Sequence, residues 1–177
     1  MAQANIDVIV FPPFEAKIRH NWLKNIAGTA FNIGTESMKY PTLPSFCELG
    51  IVISNNETVR RLNKKYRGID KVTDVLSFSS ISDGPWMGNG PHRRSETSNK
   101  AFTTPPGQPT PIGEVLIAYA EAERKAMTAN TTVDDELTVL IVHGVLHLLG
   151  FDHIKPSEYI AMHALERLAL SRLGCDK

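Results

Sequence analysis

Cysteine is scarce in this chain: Cys47 and Cys175 are the only two, far apart and in no C-x-x-C spacing. That pattern argues against a disulfide and suits a reducing compartment, with Cys47 a small buried side chain beside a strand and Cys175 a loose C-terminal thiol. Long hydrophobic runs are missing too; none approaches the roughly 18 apolar residues a membrane span needs. The N-terminal stretch MAQANIDVIVFPPF has no basic n-region and carries Asp7 early, so neither a signal peptide nor a transit peptide is expected. A cytoplasmic protein is the expectation, or an organellar one if a transit peptide has been removed. An excess of either charge is also absent, since Lys+Arg and Asp+Glu number 19 each. Any attraction to nucleic acid must then come from a local patch. With 42% hydrophobic and 21% charged residues the composition is that of a soluble globular protein. A chain of 177 residues suits one domain. Such a domain buries roughly 70% of its unfolded surface, so it needs no metal merely to hold a core.

What is present is an alternation of strand and helix patterns. NIDVIVF (5–11) places Ile6, Val8 and Val10 on one side, as a half-buried strand does, and Pro12 and Pro13 are expected to break it. Residues 14–31 repeat apolar side chains at helical spacing through Ile18, Trp22 and Ile26. ELGIVIS (48–54) reads as a second strand. SNNE (54–57) has the spacing of a capping box, so a helix through TVRRLNKKYR is expected to start there, with Val59, Leu62 and Tyr66 facing inward. DVLSFS (74–79) and GEVLIA (113–118) read as strands three and four. Between them, residues 80–112 hold PPGQPTP and many Gly, Ser and Thr, and read as a long, mostly disordered surface loop. YAEAERKAM (119–127), DDELTVLIVHGVLHLLG (134–150) and SEYIAMHALERLALSRLG (157–174) read as helices, the second closed by Gly150. No internal repeat occurs. The expectation is a single α/β (α+β) domain, with about four strands and four or five helices.

Three of the six histidines fall within HGVLHLLGFDH, residues 143–153. Residues four apart share a helix face, about 6 Å apart along the axis, so His143 and His147 can chelate one ion. Gly150 ends the helix and lets His153 come round as a third ligand. One histidine in an apolar segment is ordinarily a satisfied core residue; three in this spacing point to metal. Three neutral imidazoles suit zinc and leave a fourth position open, the catalytic arrangement, although the affinity series would favour copper or nickel. In the H-E-x-x-H helix the glutamate is the general base. Gly144 stands in its place, so either the metal activates water directly or another carboxylate takes the role. Asp152 is the nearest in sequence and reads better as a turn-holding residue that orients a histidine. His163 reads as surface or packing, and His20 and His92 have no ligand spacing.

A second constellation is basic: Arg60, Arg61, Lys64, Lys65, Arg67 and Lys71 within residues 60–71. Arg60, Lys64 and Arg67 are spaced to share a helix face. Such runs are ordinarily solvated surface. Beside a hydrolytic metal they suit a phosphate-bearing substrate, and Arg67, just before Gly68, can reach a phosphate bidentately.

The two motifs together resemble a known family. HGVLHLLGFDH resembles the H-G-x-L-H-L-x-G-x-D-H signature of the YbeY family of bacterial and organellar endoribonucleases. LNKKYRGIDKVTDVLSF resembles that family's second motif, and GEVLIA a G-[DE]-[IV]-x-I-[SA] strand between them. The resemblance spans residues 48–79 and 113–173. It implies a mixed sheet of about four strands with helices packed around it, and one zinc per chain on His143, His147 and His153, carried by a central apolar helix. It implies cleavage of single-stranded RNA in 3′-end maturation of small-subunit ribosomal RNA and in ribosome quality control. RNA and the small ribosomal subunit would be the partners, with no DNA or membrane, and the family's functional arginine falls on Arg67 as the catalytic residue. The 80–112 loop is longer and more polar than the family pattern, which bears on the cleft entrance. Two other readings remain: a zinc peptidase or amidase, disfavoured by Gly144 and the basic helix, and a ribosome-assembly binding module with structural zinc, which would need a fourth protein ligand.

Overall fold

The computed structural model describes residues 2–38, 43–80 and 108–175. Strand β1 (Gln3–Val10) is followed by a 3-10 helix (Pro12–Lys17), α1 (His20–Ser37), β2 (Phe46–Ser54) and α2 (Asn56–Arg67). Then come β3 (Val75–Ser79), β4 (Thr110–Ala118), α3 (Tyr119–Ala129), α4 (Val133–Leu148) and α5 (Pro156–Arg172). The four strands form one mixed sheet in the order β1-β2-β4-β3. β1, β2 and β4 run parallel, and edge strand β3 runs antiparallel to β4. The α+β architecture, the four strands and the helical packing are as the sequence predicts.

Alternation along the strands divides the core in two. Ile51, Ile53, Val115 and Ile117 join α1 and α4 in the larger cluster. Their neighbours Val52, Leu76, Leu116 and Ala118 join Val59 and Leu62 of α2 in the smaller one. Because successive side chains point to opposite faces of a strand, α4 and α2 lie on opposite faces of the sheet. Both helices nevertheless finish at the same end of β3. The Tyr66 ring of α2 meets Phe78 edge-on at 5.2 Å, and the Leu148 carbonyl of α4 accepts a hydrogen bond from Ser79 Oγ at 3.0 Å.

Several boundaries differ from the sequence reading. The helix expected over 14–31 is two elements. Pro12 and Pro13 open a 3-10 turn, where a missing N–H does no harm, and α1 starts at His20 and continues to Ser37. Its extra turns hold Gly34, a poor helix former, where a Cβ would run into Leu146 of α4 and Leu149 just past its end; close packing overrides propensity there. The cap of α2 is Asn55, whose side chain accepts from the Thr58 N–H at 2.8 Å. Ser54 stays in the sheet, paired with Ala118. Tyr66, expected to face inward, is 54% exposed. β4 begins three residues before Gly113, because Thr110 already pairs with Cys47. The register then slips so that Pro111 lies opposite Glu48 and Gly113 opposite Leu49, and Pro111 thus sits at a bulge, where a strand tolerates it. Residues 110–112, assigned above to the loop, are therefore strand; of the rest, 81–107 lie outside the described residues. Helix α4 ends at Leu148 with Leu149 as its cap, and Gly150 turns the chain in the left-handed region at φ 89°. Cys47 is buried and Cys175 half-buried, both free thiols. Among the described residues no helix is long and apolar enough to cross a membrane.

Candidate metal centre

Helix α4 is held at both ends. Thr132 Oγ1 accepts from the Asp135 N–H and Asp135 returns a bond to the Thr132 N–H, a complete capping box. Its last turn is locked by the Gly150 N–H to the His147 carbonyl and the Phe151 N–H to the Leu146 carbonyl. This closure, with Gly150 at positive φ, folds residues 151–153 back over the end of the helix.

Candidate ligand atoms of His143, His147 and His153 all lie within 4.8 Å of one another. The three side chains are half-buried. Each of the helical rings has its Nδ1 engaged. His143 Nδ1 is 2.7 Å from Glu166 Oε1 on α5, and His147 Nδ1 is 2.9 Å from the Phe151 carbonyl. A carboxylate and a carbonyl only accept, so both Nδ1 atoms carry the proton and both Nε2 atoms present lone pairs. Those two Nε2 atoms are 3.0 Å apart. Two facing lone pairs repel unless a proton or a cation lies between them. Burial, and then the neighbouring His143 and His153, lower the His147 pKa to about 4, so this imidazole is neutral near neutral pH and offers its Nε2 lone pair. The donor set therefore fits a divalent cation, and among the described residues it comprises three imidazoles.

Asp152 holds the turn beside this group, and its charge acts on His147. Its Oδ1 accepts the His153 N–H at 2.7 Å, the turn-holding role expected of it. Gly144 faces the sheet. A Cβ there would lie 2.5 Å from Val115 Cγ1 and 3.1 Å from Ser77 Oγ, so no glutamate fits at the H-E-x-x-H position. His163 is exposed and stacks on Tyr159 at 5.6 Å. His20 is bonded to Glu15, well away in sequence from the cluster, and His92 lies outside the described residues.

Arg67 is the last residue of α2, half-buried, with its Nε wholly enclosed. Gly68 beside it is left-handed at φ 71°. Arg67 thus belongs to the opposite face of the sheet from α4, at the β3 end where both helices finish. The rest of the basic run is partly neutralised. Arg60 and Lys64 both bind Asp70, at 2.7 Å each, and those bonds, Lys64 first, hold the Asp70 carboxyl below its ordinary value. Lys65 lies over the Tyr66 ring. Among the described residues, neither Arg61 nor Lys65 is paired with a carboxylate.

Glu166 escaped the sequence reading. A signal for it exists: it interrupts the inward stripe of α5 between the buried Met162 and Ala169, a position where a carboxylate needs a partner. Burial raises its carboxyl, but the His143 hydrogen bond and the charges of His143, His163 and His147 outweigh burial and leave it below the ordinary value.

The family model described as Endoribonuclease YbeY matches residues 13–174, nearly the whole chain. The chain belongs to the endoribonuclease YbeY family. An Endoribonuclease YbeY of Dehalococcoides mccartyi (strain BAV1) is 38% identical over 168 residues, 95% of this chain and 96% of its own length. That of Roseiflexus sp. (strain RS-1) is 30% identical over 177 residues, 99% of this chain and 97% of its own. A Thermotoga maritima protein solved in solution shares the fold with a TM-score of 0.52 at 18% identity, covering 96% of this chain and 91% of that one. The three YbeY motifs thus sit on α4 and its exit turn, on α2 through β3, and on β4.

Proposed function

We propose that this protein is a zinc-dependent endoribonuclease that cuts single-stranded RNA in 3′-end maturation of small-subunit ribosomal RNA and in ribosome quality control. Its place of work would be the cytoplasm, at the small ribosomal subunit. The observation that carries the reading is the pair of Nε2 atoms 3.0 Å apart, both Nδ1 atoms being committed to acceptors. His143, His147 and His153 would hold one zinc per chain. The chemistry such an ion supplies when bound is Lewis acidity toward a phosphoryl oxygen. Three protein donors among the described residues, where structural zinc sites use four, support a catalytic site over a scaffold. The packing of Gly144 against Val115 counts against a peptidase of the H-E-x-x-H kind.

The chain's own residues bind and orient the RNA. Arg61 and Lys65 face solvent on α2 and can follow the phosphate backbone. Arg67 would give its guanidinium to phosphate oxygens and offset the charge that develops at the scissile phosphate. Asp152 keeps the 151–153 turn in place through the His153 N–H.

The test is to incubate the purified, metal-analysed protein with a small-subunit ribosomal RNA precursor beside His147→Ala. The wild type should carry one zinc and cut the precursor, while His147→Ala should lose most of its zinc and its cutting. A zinc-loaded wild type that binds the precursor without cutting would favour the ribosome-assembly module, and one zinc per chain in His147→Ala would remove the site assignment.

A further inference from the structure

We propose that Glu166 is a positioning residue, which fixes the tautomer and orientation of His143 and thereby aims its Nε2 into the three-histidine group. The inference deepens the metal reading and rests on it only for the effect on affinity. Four observations carry it. Glu166 Oε1 is 2.7 Å from His143 Nδ1, within the range of a charge-assisted hydrogen bond. The two side chains are 23% and 29% exposed, so water does not easily take the carboxylate's place. Glu166 occupies the inward stripe of α5 between Met162 and Ala169, where an apolar residue would otherwise pack. Finally, the two helical rings are held by different means. His147 gets its acceptor locally, from the Phe151 carbonyl four residues on. His143 lies a full turn before the helix end, where the backbone carbonyls are committed to the helix, and its acceptor comes from 23 residues away on another helix.

A neutral imidazole can carry its proton on either nitrogen, and the proton on Nε2 would point at His147 Nε2 and abolish the donor. The Glu166 carboxylate selects the Nδ1–H form and pins the ring plane. A hydrogen-bond partner of this kind is commonly worth about 10- to 100-fold in metal affinity. The carboxylate also ties α5 to α4 at the centre.

The experiment uses the full chain as wild type, Glu166→Ala and Glu166→Gln, with circular dichroism to verify folding. Two-bond 1H–15N spectra of the metal-free protein read the His143 tautomer directly, and competition with a chromogenic chelator reads zinc affinity. In the wild type His143 should be Nδ1–H. In Glu166→Ala the Nε2–H form should appear and zinc affinity should fall by about 10-fold or more. Glu166→Gln, whose carbonyl oxygen still accepts, should keep the Nδ1–H form and recover most of the affinity. An Nε2–H tautomer in the wild type overturns the proposal, and that reading needs no variant to fold. An unchanged tautomer and affinity in Glu166→Ala overturns it as well. If the wild type binds no zinc but Glu166→Ala still shifts the tautomer, the positioning role stands and the metal reading alone falls.

Discussion

Gly144 explains how a histidine pair can be built without its usual glutamate. Helix α4 lies so close to the sheet that Val115 Cγ1 would be 2.5 Å from a Cβ at 144. Gly144→Ala should therefore strain the α4–β4 contact and destabilise the fold by about 1–3 kcal/mol, the scale of overpacking in a filled core, as read by chemical denaturation. An unchanged midpoint and slope would mean that the helix can back away freely. Arg67 gives a different kind of residue prediction. Its guanidinium stays protonated and is no metal ligand. Arg67→Ala should keep zinc content and fold but lose RNA cleavage by on the order of 10²-fold, as when one preorganised donor is removed. Arg67→Lys should recover little, because a point charge cannot reproduce the fork. Full cleavage by zinc-matched Arg67→Ala would leave α2 as solvated surface.

At the scale of elements, β3 is joined to the α3–α4 pair by charge. Lys125 on α3 binds Asp74 just before β3 and stands 3.9 Å from Glu136 on α4. Burial pushes the Asp74 carboxyl up, but Lys125 and the hydrogen bonds from Thr73 and Val75 outweigh it, and the carboxyl ends below its ordinary 3.8. A depressed folded pKa means the unfolded chain binds the proton more readily, so stability rises with pH across the window. The contribution is complete above pH 3.8 and is lost as pH falls through the lower folded value. Asp74→Asn should make the chain less stable near neutrality and flatten its acid dependence below pH 4, measured as denaturation midpoint against pH. An equally steep acid limb in the variant would place the linkage on other carboxylates. The basic helix offers a second element-scale prediction. Arg60 and Lys64 are already matched to Asp70, so Lys65→Ala should weaken RNA binding and lower its salt slope by about one unit. A Lys64→Ala change of the same size would show that RNA displaces Asp70.

For the whole molecule, the metal group joins α4, the turn after it and, through Glu166, α5. A ligand that binds only the folded state adds about 2.7 kcal/mol at one hundred times its Kd. Zinc at that excess should raise the thermal midpoint by several degrees, about 2–4 °C per kcal/mol for a chain of this size, and a chelator should reverse it. His147→Ala should show no such shift. A shift of equal size in His147→Ala would put the stabilising ion elsewhere.

The sequence by itself determined what depends on neighbours along the chain. His143 and His147 share a face because a helix repeats every 3.6 residues, and Gly150 closes α4 because it alone takes positive φ there without strain. Alternation in β1 and helical spacing through Trp22 and Ile26 in α1 followed from the same short-range geometry, and so did the motif that ties the chain to its family. Tertiary structure decided the rest. Ser54 is the better cap by its own spacing with Glu57, yet pairing with Ala118 keeps it in the sheet and passes the cap to Asn55. β4 begins at Thr110 because β2 offers a partner there, although Thr110, Pro111 and Ile112 read as loop residues. The exclusion of a side chain at 144 depends on Val115, and the orientation of His143 on Glu166, residues far away along the chain. Such contacts arise from the register of the sheet and the crossing of helices over it, and each is set by the combined packing of segments that no local pattern encodes.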